Sequence, residues 1–426
     1  MRDDPDTSSP HSSPNSGNTL QVAKSRSSNM IWFAVGIPLV MLVVGVLLIV
    51  SAVSDGDTAT RSVSMPAEIE VRTPEVSASQ ADFPEAVRET SVAPQTPWLE
   101  LDAQTRLTRI GVGSCLSQLH PQPIWEGVLG LKQRPELFLM LGDNVYGDIK
   151  SPGGDELIEA YRMQAVQPEF ATARAALPFL ATWDDHDYGL NDGGADFQHR
   201  ELSTELFLDF WKMAPPQPAG GIYYSRYFGP DDARVQIIML DTRSFRSALK
   251  VKGDLFPFWG RYEPSFDPDQ TMLGEAQWQW LEAELKKPAK IRLLISSIQV
   301  LSEGHGFERW GNLAKERARL LQLLGDVGAR GTILLSGDRH ASAIYYTTVN
   351  GSQVVPELTA SSLNRPYGPS RDGRTDELLT ALFSEANFGL VDIDWERAQV
   401  ALTIKGVNGE TVESLRFKFA DLGIEQ

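Results

Sequence analysis

Thr182-Trp183-Asp184-Asp185-His186-Asp187-Tyr188-Gly189-Leu190-Asn191-Asp192 packs four carboxylates and a histidine into eleven residues, directly after the apolar run Leu177-Pro178-Phe179-Leu180. So acidic a segment straight after a buried strand costs stability unless a cation neutralises it, and a metal ion is the simplest such partner. The stretch reads as a metal site. Three other segments repeat the arrangement: Ile110-Gly111-Val112-Gly113-Ser114 stops at Cys115, residues 137–141 stop at Gly142-Asp143-Asn144-Val145-Tyr146-Gly147-Asp148, and residues 332–335 stop at Ser336-Gly337-Asp338-Arg339-His340. Short apolar runs bounded by glycine are strands of a parallel or mixed sheet, and such sheets bind ligands beyond the carboxyl ends of their strands. Four strand ends are therefore expected to converge on one cleft.

Outward from this core, strands are predicted at residues 109–113, 137–141, 179–182, 235–240, 292–296 and 332–335. Between them lie helical patterns: Trp278, Leu281 and Leu285 share a face, as do Leu313, Leu320 and Leu324 before Gly325. That alternation implies an α/β sandwich, one folded domain over residues 98–426. Near its end, residues 399–405 and 411–419 alternate in polarity around Asn408-Gly409, which predicts a hairpin closing a sheet edge.

Upstream, residues 1–29 are rich in Ser, Pro, Asp and Asn and are expected to be a disordered tail. Residues 30–53 carry no charge and are long enough for a transmembrane helix, a reading preferred over a cleaved signal peptide or a buried core helix. Lys24 and Arg26 precede this anchor and Asp55 and Asp57 follow it, which puts the N-terminus in the cytoplasm and the body on the periplasmic or extracellular side. Residues 54–97, with five prolines, read as an extended tether.

The chain of 426 residues is 42% hydrophobic, enough for a sizeable core, and its net charge of −17 offers no basic face for nucleic acid. Its one cysteine, Cys115, excludes an intramolecular disulfide. That thiol is inert, nucleophilic or a ligand; its place at the end of the first strand favours a ligand for iron or zinc, and acidic surroundings disfavour the thiolate a nucleophile needs. Asp143, taken alone, would be a helix N-cap, but recurrence at the other strand ends makes it a carboxylate able to bridge two cations. Tyr146, taken alone, would be a half-buried aromatic; beside these groups its phenolate suits a strong Lewis acid such as ferric iron. Of His186 and His340, both inside acidic motifs, one is expected to bind metal and the other to move protons. Arg339, between Asp338 and His340, is a candidate for substrate phosphate. His120 and His305 are read as loop residues, and His11 and His199 as solvent-exposed.

Gly113-Ser114-Cys115, residues 142–148, Trp183-Asp184-Asp185-His186-Asp187, Leu240-Asp241-Thr242-Arg243, residues 273–285 with Gln277 and Trp280-Leu281, and residues 336–340 together resemble the PhoD-like alkaline phosphatases of the calcineurin-like metallophosphoesterase superfamily. The resemblance runs from Ile110 to about Asn364. It implies a four-layer α/β/β/α sandwich and a cluster of ferric iron with calcium, with zinc, manganese or magnesium as the alternatives. Cys115, Asp143, Tyr146 and His340 would hold the iron, and Asp143 would bridge to a calcium completed by Asp185 and Asp338. His186 matches the histidine beside the leaving group, and Gln299 falls where related enzymes place a metal-binding histidine. The chain departs from better-known members in having a hydrophobic anchor and tether where they carry a twin-arginine signal and a β-sandwich domain.

The expected function is thus a membrane-anchored phosphoesterase acting on phosphate monoesters or diesters. A metal-bridging hydroxide would attack phosphorus, His186 would serve the leaving oxygen, and Asp184 and Asp187 would orient His186. The alternatives are a phospholipase D-like phosphodiesterase and a metal-stabilised surface binding protein without turnover.

Overall fold

The computed structural model describes residues 91–214, 220–253, 260–368, 373 and 375–425. The expected tail, the membrane span and residues 54–90 of the tether lie outside the described residues. Among the described residues, no helix is long and apolar enough to cross a membrane. Residues 91–97, read from sequence as the last of the tether, touch the body. The Ser91 hydroxyl and the Val92 N–H each donate to Asp209 Oδ2 at 2.7 Å, and Val92 is buried.

The body is built on two six-stranded sheets. Parallel strands β1 (Arg109–Gly113), β2 (Leu137–Leu141) and β3 (Phe179–Thr182) form half of the first. The second is composed of β4 (Tyr224–Phe228), β5 (Val235–Met239), β6 (Ile291–Ile295), β7 (Thr332–Ser336), β8 (Ala343–Val349) and β9 (Gln353–Thr359) in the order β4-β5-β6-β7-β9-β8. Within it β5, β6, β7 and β9 are parallel. The antiparallel strands β10 (Asn387–Asp394), β11 (Gln399–Gly406) and β12 (Thr411–Lys418) then return to complete the first sheet in the order β12-β11-β10-β1-β2-β3. The predicted C-terminal hairpin is β11–β12, and β12 is indeed an edge strand.

Side-chain alternation explains the layering. Leu137, Leu139 and Leu141 of β2 share one core with Ile237 of β5, Leu293 of β6 and Leu335 of β7, so this core lies between the sheets. The intervening Phe138 and Met140 point the other way. They pack with Trp125, Leu157, Phe170 and Phe207 of α1 (Ile124–Leu129), α2 (Asp155–Val166), α3 (Pro168–Arg174) and, past the short α4 (Asp185–Tyr188), α5 (Arg200–Trp211). Ile238, Leu294 and Leu334 pack in the same way with Trp278, Leu281, Leu320 and Leu324 of α6 (Gly274–Leu285) and α7 (Ala314–Asp326). Strands of period two that are apolar on both faces are what a sheet covered on both sides requires. The expected α/β class is the one observed, with helices outside two face-to-face sheets.

Candidate metal centre

The parallel strands of each sheet all end on the same edge, and the chain segments that leave β1, β2, β3 and β7 meet there. The turns after β1 and β2 are stitched together: Cys115 N–H donates to the Gly142 carbonyl at 3.3 Å and Leu116 N–H to that of Asp143 at 2.8 Å. Across the sheets, Thr182 Oγ1 donates to the Leu240 carbonyl at 2.8 Å and Trp183 Nε1 to Asp241 Oδ1 at 3.0 Å. Two glycines make the approach possible. Gly142 has a φ of +109°, and a Cβ there would stand 2.5 Å from Asp184 Cβ; a Cβ on Gly337 would stand 2.5 Å from Ser114 Oγ. Any side chain at Gly337 would push the turn after β7 away from the turn after β1.

Cys115, Asp143, Asp338 and His340 are four of the eight non-glycine residues with positive φ among the described residues, at +58°, +51°, +67° and +52°. Left-handed backbone is unfavourable for such side chains and persists where the surroundings over-determine it. In these turns Cys115 Sγ, an Asp143 oxygen and a His340 ring nitrogen lie within 4.8 Å of one another. Asp143 also groups in this way with Asp185 and His186, and Asp185 groups with Asp184 and Asp338. Tyr146 joins the first set, its hydroxyl donating to Asp143 Oδ2 at 3.2 Å, the oxygen that Cys115 Sγ approaches at 3.5 Å.

The surroundings press these groups away from their ordinary titration. Burial, then the charge of Asp185, pushes the Asp143 carboxyl well up; burial, then Asp184 and Asp185, does the same to Asp338. Burial raises the Cys115 thiol and the Tyr146 phenol. Against its burial, Asp185 is held below the usual carboxylate range by His186 and Arg243. Burial lowers His340 to about 4. His186 is raised to about 9, because Asp185 and Asp148 outweigh its burial. Carboxylates crowded in this manner resist joint ionisation, and a cation reverses that resistance.

The residues fit metal ions on a further observation. Asp184 Oδ2 and Asp185 Oδ1 are buried oxygens with no hydrogen-bond donor in the protein. Buried carboxylate oxygens are ordinarily met by a donor, an ordered water or an ion, and the pair of them beside Asp338 suits an ion. The donor sets differ in softness: thiol, phenol and imidazole around one side of Asp143 suit iron or zinc, whereas the all-oxygen set of Asp184, Asp185 and Asp338 suits calcium, magnesium or manganese.

The expected orientation of His186 is corrected. His186 is oriented by neither Asp184 nor Asp187: its Nδ1 pairs with Asp148 at 2.7 Å. Asp184 is occupied by a buried ion pair with Arg243 and by Ser297 Oγ at 2.7 Å, while Asp187 accepts from the Asn144 N–H at 3.0 Å and the Asp184 N–H at 3.1 Å. Both carboxylates brace the loop rather than the imidazole. Arg339 lies with its guanidinium carbon 4.8 Å from the Phe307 ring centroid and is almost wholly buried. Gln299 bonds Thr359 Oγ1 at 2.9 Å through its amide nitrogen and pairs with His305 Nε2 at 2.9 Å through its oxygen, so both ends of its amide serve the scaffold.

Sequence reasoning passed over Asp148, although it closes the quoted Gly142–Asp148 segment and so carried a signal. It also passed over Glu308, which binds Arg243 at 2.6 Å and Arg246 at 3.0 Å, and over Arg365 and Tyr367, which have no motif around them.

Comparison with known proteins bears on the family and on the fold. The sequence model of the PhoD-like phosphatases matches residues 124–403, which leaves Cys115 ahead of the matched span. The chain is similar to alkaline phosphatase D of Bacillus subtilis (strain 168), with 24% identity over 251 residues; the alignment takes in 50% of this chain and 42% of that protein, less than half its length. Among solved structures, that of PhoD superposes with a TM-score of 0.58 at 16% identity, covering 75% of this chain and 71% of the other. Purple acid phosphatase PPD1 from yellow lupin (Lupinus luteus) seeds gives 0.50 at 10% identity, covering 76% and 56%. At these identities the two structures speak to the fold alone.

Proposed function

This chain belongs to the PhoD-like phosphatase family, and on that premise we propose that it is a metal-dependent phosphoesterase that hydrolyses phosphate monoesters or diesters. The observation that carries the reading is the meeting, at one sheet edge, of a soft donor set and an all-oxygen donor set that touch through Asp143 and Asp185. Cys115, Asp143, Tyr146 and His340 would hold ferric iron, and Asp143, Asp185 and Asp338 would hold calcium, with Asp184 adding its unpartnered oxygen to that side. Cations bound there would supply Lewis acidity, acidifying water and neutralising charge on the phosphoryl oxygens.

The protein's own residues do the rest. Asp148 holds His186 through Nδ1, which leaves Nε2 to deliver a proton to the departing oxygen. Arg243, clamped between Asp184 and Glu308, fixes the loop that carries Asp185 and His186. Residues 30–53 would anchor the enzyme with its body outside the cytoplasm, on the strength of their uncharged length and flanking charges.

Metal analysis and visible absorbance of the purified protein, with hydrolysis of nitrophenyl phosphate and bis(nitrophenyl) phosphate, test the reading. Iron and a phenolate-to-iron absorption lost in Tyr146→Phe are expected. A colourless active protein holding only zinc or magnesium would overturn the iron assignment, and a metal-loaded protein that hydrolyses neither ester would overturn the enzyme.

A further inference from the structure

The segment after β9 brings a cation to the centre that none of the metal-binding groups accounts for. Arg365 sets its guanidinium carbon 3.7 Å from the centroid of the Tyr146 ring and 5.6 Å from that of Tyr367. Tyr367 is stacked on His340, with ring centroids 3.7 Å apart, and the Arg365 carbonyl accepts the hydrogen bond of His340 Nδ1. The segment is firmly seated. Arg365 N–H donates to Ser362 Oγ at 2.6 Å, and Asn364 Oδ1 accepts from the Ser117 N–H at 2.7 Å. The guanidinium is thus fixed between two aromatic rings, one bonded to Asp143 and the other stacked on His340. Tyr367 is 64% exposed, so this edge of the centre opens to solvent.

Among the described residues, no carboxylate or carbonyl takes a hydrogen bond from this guanidinium, unlike those of Arg243 and Arg246 across the site. Stacking on aromatic rings leaves the in-plane N–H donors unused, and that fork matches the oxygens of a phosphate. A monoester carries one terminal oxygen and one negative charge more than a diester. The diester has a second alkoxy group in that place, which offers a guanidinium no comparable acceptor.

We propose that Arg365 is a specificity-determining residue which binds the additional terminal oxygen of a phosphate monoester and so biases the site toward monoesters over diesters. The inference rests on the phosphoesterase reading above. Its test uses the metal-loaded full-length protein with Arg365→Gln and Arg365→Lys. Measured would be kcat/KM on nitrophenyl phosphate and bis(nitrophenyl) phosphate, the affinity for inorganic phosphate by calorimetry, and metal content. Arg365→Gln should lose roughly 10- to 100-fold on the monoester, the scale of one charge-assisted hydrogen bond, and far less on the diester. Phosphate binding should weaken by a similar factor, and Arg365→Lys should recover part of both losses because it keeps the charge without the fork. Equal losses on the two esters, unchanged phosphate affinity or a fall in metal content would each overturn the proposal. A wild-type protein inactive on both esters would defeat the parent reading instead.

Discussion

At the scale of single residues, the function proposed above assigns some groups to hold cations and His186 to move a proton. Asp143 stands where the two donor sets meet, and its neighbours push its carboxyl well above the ordinary range. On that proposal Asp143→Asn removes a charge that two cations would share, so metal content and turnover should fall together. His186 is in a different position because Asp148 holds its ring from outside both donor sets. His186→Ala should keep the metals and lose roughly 10²–10⁴-fold in kcat, the usual contribution of a placed proton donor. The loss should be smaller for a nitrophenyl ester than for an alkyl ester, whose leaving oxygen needs the proton more. Wild-type rates on both esters would show that this histidine has no part in proton transfer.

At the scale of elements, the segment between β6 and α7 shows how a loop is made rigid. His305, a loop residue as expected, is buried there and paired with Gln299. Burial, then the charges of Arg339, Arg309 and Lys252, holds its imidazole well below the usual range. In the unfolded chain the ring titrates near ~6.5, so below that pH the unfolded state gains a proton that the native state refuses. The stability this histidine contributes is present above pH ~6.5 and lost as the pH falls below it. His305→Gln should therefore lose less stability than wild type between pH 7 and pH 5, as read from urea midpoints. The difference between the two curves cancels the acid sensitivity of the metal ligands. Parallel curves would mean that His305 takes its proton in the folded state.

At the scale of the whole molecule, the parallel strands of two sheets end on one edge, and ion pairs and hydrogen bonds between the sheets hold that edge closed. The Arg243–Asp184 pair and the Thr182–Leu240 bond join segments far apart in the chain. The proposed anchor also acts at this scale, because it would fix the side of the membrane on which the body lies. If residues 30–53 anchor the protein as proposed, protease added to intact cells should degrade residues 98–426 and spare a short amino-terminal fragment. Recovery of the full body as a soluble cytoplasmic protein would refute that topology.

Much of the framework is local and could be read from the chain. β1, β2 and β3 carry the bounds predicted for them, because each is a short apolar run punctuated by glycine or proline, and the Asn408-Gly409 turn specified the last hairpin. β4, β8, β9 and β10 escaped notice. β9 contains Pro356 and Glu357, and Glu357 is buried only because the Val300 and Leu301 N–H groups bind it, a pairing that no local pattern announces. The candidate ligands were likewise legible as acidic or soft residues at strand ends, since a strand end is a local feature. Which of them touch was settled by tertiary structure alone. Asp148 rather than Asp184 or Asp187 reaches His186, and Arg365 reaches Tyr146 from 219 positions along the chain (365 − 146), because contact between distant segments depends on how the sheets pack and not on sequence spacing.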